Sequence, residues 1–185
     1  MKIRLASPVL MPDSIVDGVG IRAVLWKQGC LHKCPGCQNP QTHSFDDGFL
    51  IDIKEVKEQI DALEGQDGIT FSGGDPFYQV EECIEIAKYI KSKKMNIWCY
   101  TGFTYETLIK LAKDNNKIIE FLKLIDVLVD GPFILEKKSL DCVFRGSTNQ
   151  RIIDTKLSLK NKEVVLVDKY YTEKKVKNKR DRIYI

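Results

Sequence analysis

Three cysteines, Cys30, Cys34 and Cys37, lie in one eight-residue segment with the spacing C-x3-C-x2-C. Thiolates are soft ligands that suit iron–sulfur clusters, and a cubane cluster usually takes four of them. No fourth cysteine lies in this segment. Three cysteines would hold three corners of a cubane cluster and leave one iron without a protein ligand. A metal position that the protein leaves open is where substrate binds in catalytic metal sites.

Two other kinds of metal site remain open for the same segment. A zinc ion could be held by Cys30, Cys34, Cys37 and His43, which lies six residues after the last cysteine. Zinc sites more often pair their cysteines as C-x2-C, so this spacing is unusual for them. A ferredoxin-like electron carrier is the third reading, but it would need a fourth cysteine nearby.

The remaining cysteines, Cys83, Cys99 and Cys142, are scattered in apolar surroundings. A free cysteine behaves as a small hydrophobic residue, so we expect these three to pack in the core. Clustered cysteines in a cytosolic chain hold metal more often than they form disulfides, which favours a metal site for the clustered three.

Composition indicates one globular domain that spans residues 1–185. Apolar residues make up 43% and charged residues 30% of the chain, and the formal net charge is +3. That charge is too small to argue for a nucleic-acid or membrane partner. No apolar run approaches the ~20 residues of a membrane helix, and no signal-peptide pattern follows the first four residues. We therefore expect a cytoplasmic protein.

Strands and helices alternate along the chain around the cysteine segment. Strands are predicted at 21–26, 68–72, 96–100 and 127–130 from their short apolar runs. Helices are predicted from 53 (with Asp52 and Glu55 as a capping box), over 80–90, from about 105, and over 118–124. Such alternation predicts an α/β fold with a mostly parallel sheet.

Each predicted strand ends in residues that could bind a ligand. The cysteines follow the first strand, the Gly-Gly-Asp-Pro loop of residues 73–76 the second, Thr101 the third, and Asp130 ends the fourth. Ligands of parallel sheets bind at the carboxyl ends of the strands, so these segments should meet. Taken alone, residues 73–76 would equally suit a tight turn between strand and helix.

Residues beyond 135 carry a weaker pattern. Ile152 and Ile153 are predicted to begin a strand, and residues 164–167 to form another. Lysine and arginine dominate from about residue 169. A terminal run of charge is usually a solvated tail, and contact with an acidic partner surface is the alternative.

Together these segments resemble radical S-adenosylmethionine enzymes, and among them the small activases of glycyl-radical enzymes, in particular those that serve anaerobic ribonucleoside-triphosphate reductase. The resemblance covers roughly residues 15–155 and rests on residues 17–22, 29–40, 73–76, 100–102, 130–133 and 145–151. Two segments depart from the usual pattern. Val19 stands where activases usually have proline, and Asp75 stands where the superfamily more often has glutamate.

The resemblance implies a fold, an activity and a set of partners. The fold would be an incomplete (β/α) barrel of the radical S-adenosylmethionine type. A 4Fe–4S cluster would split S-adenosylmethionine reductively, and the 5'-deoxyadenosyl radical would take a hydrogen atom from a backbone glycine of the reductase. A flavodoxin-type protein would supply the electron. Three alternatives remain beside this interpretation: activation of another glycyl-radical enzyme, modification of a metabolite or peptide, and a binding module stabilised by zinc.

The resemblance also implies roles for particular residues. Cys30, Cys34 and Cys37 would hold the cluster, and the open iron would bind the amino and carboxylate groups of S-adenosylmethionine. The further contacts to S-adenosylmethionine would come from Gly36, Cys37, Gln38, Gly73, Gly74, Asp75, Thr101 and Asp130. Arg145, Ser147 and Asn149 are further candidates. No catalytic residue is expected beyond the cluster and S-adenosylmethionine.

Overall fold

The computed structural model describes residues 1–170. Within these residues one mixed sheet has eight strands in the order β4-β1-β3-β5-β6-β7-β8, with β2 paired to β3. The strands are β1 (Lys2–Leu5), β2 (Met11–Ser14), β3 (Arg22–Lys27), β4 (Phe49–Asp52), β5 (Gly68–Gly73), β6 (Asn96–Tyr100), β7 (Val127–Asp130) and β8 (Arg151–Asp154). The central strands β3, β5, β6 and β7 are parallel, and the outer strands join them antiparallel.

Five α-helices lie within the described residues. They are α1 (Ile53–Asp61), α2 (Val80–Ser92), α3 (Tyr105–Leu111), α4 (Asn116–Leu124) and α5 (Thr155–Asn161). The predicted cap of α1 is confirmed, because the Asp52 carboxylate accepts the Lys54 N–H at 2.9 Å. Helices α2, α3 and α4 fall in the chain between parallel strands, as crossover connections require.

The main core lies between the sheet and helices α1, α2 and α4. Alternation along the strands turns Phe71, Ile97 and Cys99 into this core with α2 and α4. The intervening side chains face the other way, and there Trp98 forms a smaller cluster with Val129. The helices therefore cover one face of the central sheet, and the opposite face is left for the loops and the cleft described below.

The four predicted strands and the strand at Ile152 and Ile153 are confirmed, whereas the strand predicted at 164–167 is wrong. There only Leu166 pairs, in an isolated bridge with Ile153. Lys162, the residue after α5, has a left-handed conformation with φ of 60°. The chain then passes the edge of β8 too briefly to form a ladder. Strands β1, β2 and β4 were not predicted.

Two further expectations concern the ends and surroundings of the fold. Among residues 1–170 no helix is both long and apolar enough to cross a membrane. The basic tail predicted from about residue 169 falls almost wholly on residues 171–185, outside the described residues.

Candidate active site

A cleft of about 620 Å³ opens at the carboxyl ends of the parallel strands. It brings together most of the residues that the sequence singles out. These are Cys30, Cys34, Cys37, Gln38, Gly73, Gly74, Asp75 and Thr101. The volume falls within the range of small-molecule sites, about 300–1,000 Å³. The expected meeting of the strand ends is therefore observed.

The cysteine loop is held to the following segment at its base. Backbone N–H groups of Gly29 and Cys30 donate to the carbonyls of Thr42 and His43, at 2.8 and 3.0 Å. The three cysteines are half-buried and line the cleft. Burial raises the pKa of the Cys30 and Cys34 thiols. A bound metal ion acts in the opposite direction because it stabilises the thiolate.

The loop that follows β5 is joined directly to the base of the cysteine loop. The Gly74 N–H donates to the Lys27 carbonyl at 2.7 Å, and the Asp75 N–H donates to the Gly29 carbonyl at 3.0 Å. A Cβ on Gly74 would lie 2.6 Å from the Gly29 carbonyl oxygen. Gly73 has φ of +91°, which glycine adopts without steric cost. The two glycines therefore permit a backbone contact that other residues would block.

Asp75 connects three strand ends through its carboxylate. Its side chain is almost fully buried. Oδ2 accepts from Thr101 Oγ1 at 2.8 Å and from the Gly102 N–H at 2.9 Å, and lies 2.8 Å from His32 Nε2. Oδ1 accepts the Phe77 N–H at 3.0 Å. A carboxylate with this many buried donors is fixed in position before any ligand arrives.

Asp130 lies behind the cleft and does not line it. The carboxylate is fully buried and accepts the Tyr105 N–H at 2.7 Å, at the start of α3. Arg151 donates to both of its oxygens, with Nε 2.9 Å from Oδ1. Arg151 also pairs with Glu106, which lowers the pKa of that carboxyl to about 2. Asp130 thus joins β7, α3 and β8, while the next residue, Gly131, reaches the cleft.

The other predicted positions divide between the cleft and its supporting loop. Arg145 lines the cleft, and its Nη1 donates to the Gln150 carbonyl at 3.1 Å. The buried Ser147 hydroxyl accepts the Ile134 N–H, and Asn149 Nδ2 donates to a backbone carbonyl at residue 132. Gly36 does not line the cleft.

The cleft also contains residues that were not predicted for it. Trp26, Tyr100 and Phe144 supply aromatic walls. Tyr100 directly precedes Thr101, and alternation along β6 turns it toward the face opposite the helices. Cys83 and Cys99 are buried in the core as expected, but the core position predicted for Cys142 is wrong. Cys142 is half-buried on the cleft because its loop passes over the ends of the strands.

The donor set at the cleft is of the kind that an iron–sulfur cluster takes. Within residues 1–170 no three side chains of Cys, His, Asp or Glu come close enough to hold one metal ion. A zinc ion would need its sulfur ligands at about 2.3 Å from one point. Cys30, Cys34 and Cys37 are half-buried residues of one loop that line the cleft, and their thiolates are the soft ligands that suit such a cluster.

Comparison with known proteins gives one consistent result. The family model described as a 4Fe–4S single cluster domain matches residues 16–153. The chain is 36% identical to the anaerobic ribonucleoside-triphosphate reductase-activating protein of Enterobacteria phage T4, over 77% of this chain and 90% of that protein. Proteins of the same name are 35% identical in Haemophilus influenzae (79% and 96% covered) and 34% identical in Escherichia coli K12 (75% and 92% covered). The chain therefore belongs to the family of anaerobic ribonucleoside-triphosphate reductase-activating proteins.

Proposed function

We propose that this protein is a radical S-adenosylmethionine enzyme that generates a glycyl radical on anaerobic ribonucleoside-triphosphate reductase. The observation that carries the proposal is the set of three half-buried cysteines, from one loop, that line the cleft at the strand ends. The names of the relatives support the choice of partner.

Cys30, Cys34 and Cys37 would hold a 4Fe–4S cluster and leave one iron for the amino and carboxylate groups of S-adenosylmethionine. When bound, the cluster and S-adenosylmethionine supply the hydrogen-abstracting radical that converts a backbone glycine of the reductase into a glycyl radical. The protein contributes orientation and exclusion of competing reactions. A flavodoxin-type protein is the proposed electron donor.

The remaining cleft residues bind and orient S-adenosylmethionine in this proposal. Gly73 and Gly74 leave the backbone of their loop accessible to the methionine amino group, while Gln38 lies beside the adenosyl group. Asp75 already accepts several internal donors. Its part is therefore to hold Thr101 and the glycine loop in place. The rings of Trp26 and Tyr100 keep water from the reacting groups.

The architecture suits a protein substrate. The helices cover one face of the four parallel strands, and the cleft opens on the other face. We propose that the sheet is an incomplete (β/α) barrel of the radical S-adenosylmethionine type. A sheet that does not close leaves a side through which a loop of another protein can enter.

The decisive experiment is anaerobic. The protein is reconstituted with iron and sulfide, reduced with dithionite, and mixed with S-adenosylmethionine, and 5'-deoxyadenosine is measured by chromatography. Wild-type protein should form it, and Cys34→Ala should lose both cluster and product. With the reductase added, a glycyl radical should appear in the electron paramagnetic resonance spectrum. One bound zinc and no 5'-deoxyadenosine would refute the proposal, whereas product without a radical on the reductase would refute only the partner.

A further inference from the structure

We propose that His32, although it lies between two cluster cysteines, is a positioning residue that anchors the cysteine loop to Asp75. The inference rests on the proposed function, because it assigns a role toward the cluster. The residue is not a metal ligand in this assignment. It fixes the loop, and so the cluster, relative to the ends of β5 and β6.

The first support is the hydrogen bond between the two side chains. His32 Nε2 lies 2.8 Å from Asp75 Oδ2, and the side chains are 17% and 1% exposed. An ionised carboxylate can only accept, so Nε2 carries the proton and donates. The same oxygen accepts from Thr101 and from the Gly102 N–H. The cysteine loop is thereby joined to one atom that already connects β5 and β6.

The second support is the packing of the imidazole ring. It meets Phe103 edge to face at 4.5 Å between ring centroids and lies 5.9 Å from Tyr78. Tyr78 and Phe103 also contact each other, at 5.5 Å. Tyr78 is half-buried, and its burial raises the pKa of its hydroxyl to about 12. The aromatic rings therefore hold the imidazole in a fixed orientation toward Asp75.

The third support is the close fit at Gly102. A Cβ at this position would lie 2.4 Å from His32 Cδ2. Because residue 102 is glycine, the imidazole occupies the space that a side chain at this position would need. A hydrogen bond, an aromatic enclosure and a glycine contact all fix the same ring, which is the arrangement expected of an anchor.

Loss of the anchor should weaken retention of the cluster without removing any ligand. Replacement of outer-shell partners of metal ligands typically costs about 10–100-fold in metal affinity or activity. His32→Leu keeps an apolar side chain but has no donor, whereas His32→Gln keeps an N–H that can reach Asp75. Lys33→Gln is the matched control, because Lys33 lies in the same loop with its side chain exposed.

The test measures the rate at which reconstituted protein loses its cluster to an iron chelator. The visible absorbance of the cluster reports the loss. We expect loss about 10-fold faster in His32→Leu, and near wild-type rates in His32→Gln and Lys33→Gln. Asp75→Asn should weaken retention, and His32→Leu should add little to it in the double variant. The electron paramagnetic resonance spectrum of the reduced cluster, with and without S-adenosylmethionine, should change in His32→Leu and recover in His32→Gln.

Three outcomes would overturn the proposal. If His32→Leu retains its cluster as well as wild type, His32 is not an anchor. If the effects of His32→Leu and Asp75→Asn add independently in the double variant, the two residues do not act through the bond between them. Failure of His32→Gln to assemble any cluster would make His32 a ligand. If His32→Leu does not fold, the cluster retention of His32→Gln is compared with that of Asp75→Asn. The proposal then requires near wild-type retention in His32→Gln and weaker retention in Asp75→Asn. Refutation of the proposed function can be distinguished from refutation of the anchor. If the wild-type protein holds iron but forms no 5'-deoxyadenosine, the proposed function fails, but the comparison of cluster retention among the variants is still valid.

Discussion

Lys27 is a buried amine whose replacement should stabilise the protein. It ends β3, just before the cysteine loop, and is fully buried. Its Nζ has a long contact of 3.5 Å to the Arg4 carbonyl. Among the described residues no carboxylate forms an ion pair with it. Burial therefore lowers the pKa of Lys27 from its ordinary value of 10.5, because the charged form loses its hydration.

The sign of the pH dependence follows from proton binding in the two states. Between the lowered pKa of folded Lys27 and 10.5, the unfolded chain holds a proton that the folded chain lacks. In that range the free energy of unfolding rises by about 1.4 kcal/mol for each pH unit. Lys27→Met removes this dependence and fills the space with an unbranched apolar side chain. The variant should therefore be more stable than wild type at neutral pH, and the difference should shrink toward pH 10.5.

Urea unfolding of the reduced, cluster-free protein under anaerobic conditions measures this difference. Comparison of wild type with Lys27→Met at each pH cancels most of the titration of the cysteine thiols. Lys113→Met is the control, because Lys113 is exposed and its replacement should leave the slope unchanged. A stability difference that stays constant from about pH 8 to 10.5, or a variant less stable than wild type throughout, would refute the reasoning.

Three further substitutions test other contacts. Gly74→Ala places a Cβ 2.6 Å from the Gly29 carbonyl oxygen. Urea unfolding should show that the free energy of unfolding falls by about 1–3 kcal/mol. An unchanged free energy of unfolding would mean that the two loops can separate freely. Arg151→Met leaves the buried Asp130 carboxylate without its cation, so thermal unfolding should show that the free energy of unfolding falls by about 3–5 kcal/mol. A decrease below about 1 kcal/mol, which is typical of an ion pair on the surface, would contradict this prediction. Cys142→Ser should keep the iron and sulfide content of wild type, and a loss of iron would make Cys142 a fourth ligand.

The parallel strands and the cysteine loop could be predicted because their signals are local. Each strand is a short apolar run: the first leads into the cysteine loop, and the other three lead to Gly73, Thr101 and Asp130. Parallel topology then brings the strand ends to one edge of the sheet. Strands β1, β2 and β4 have four residues each and contain charged or proline positions. Their pairing with distant strands is what stabilises them, so local propensity did not identify them.

The features of the site that could not be predicted depend on contacts between residues far apart in the sequence. Nothing near Asp130 in the sequence indicates Arg151, which is 21 residues away and takes both carboxylate oxygens. Lys27 is buried at the end of β3 where β1 pairs with that strand, and β1 lies more than 20 residues earlier in the chain. Cys142 reaches the cleft through the path of its loop, although its sequence surroundings are apolar. Each of these depends on tertiary contacts that a local pattern does not encode.

The shared oxygen of Asp75 has a consequence for the order of events during synthesis. Asp75 leaves the ribosome 43 residues after His32, and Gly102 a further 27 residues later. At about 5–20 residues per second, the cysteines are exposed for several seconds before their anchor is complete. Iron delivered in that interval would meet three thiols on a loop without its final support. Productive loading of the nascent chain should therefore wait until β6 has joined the sheet.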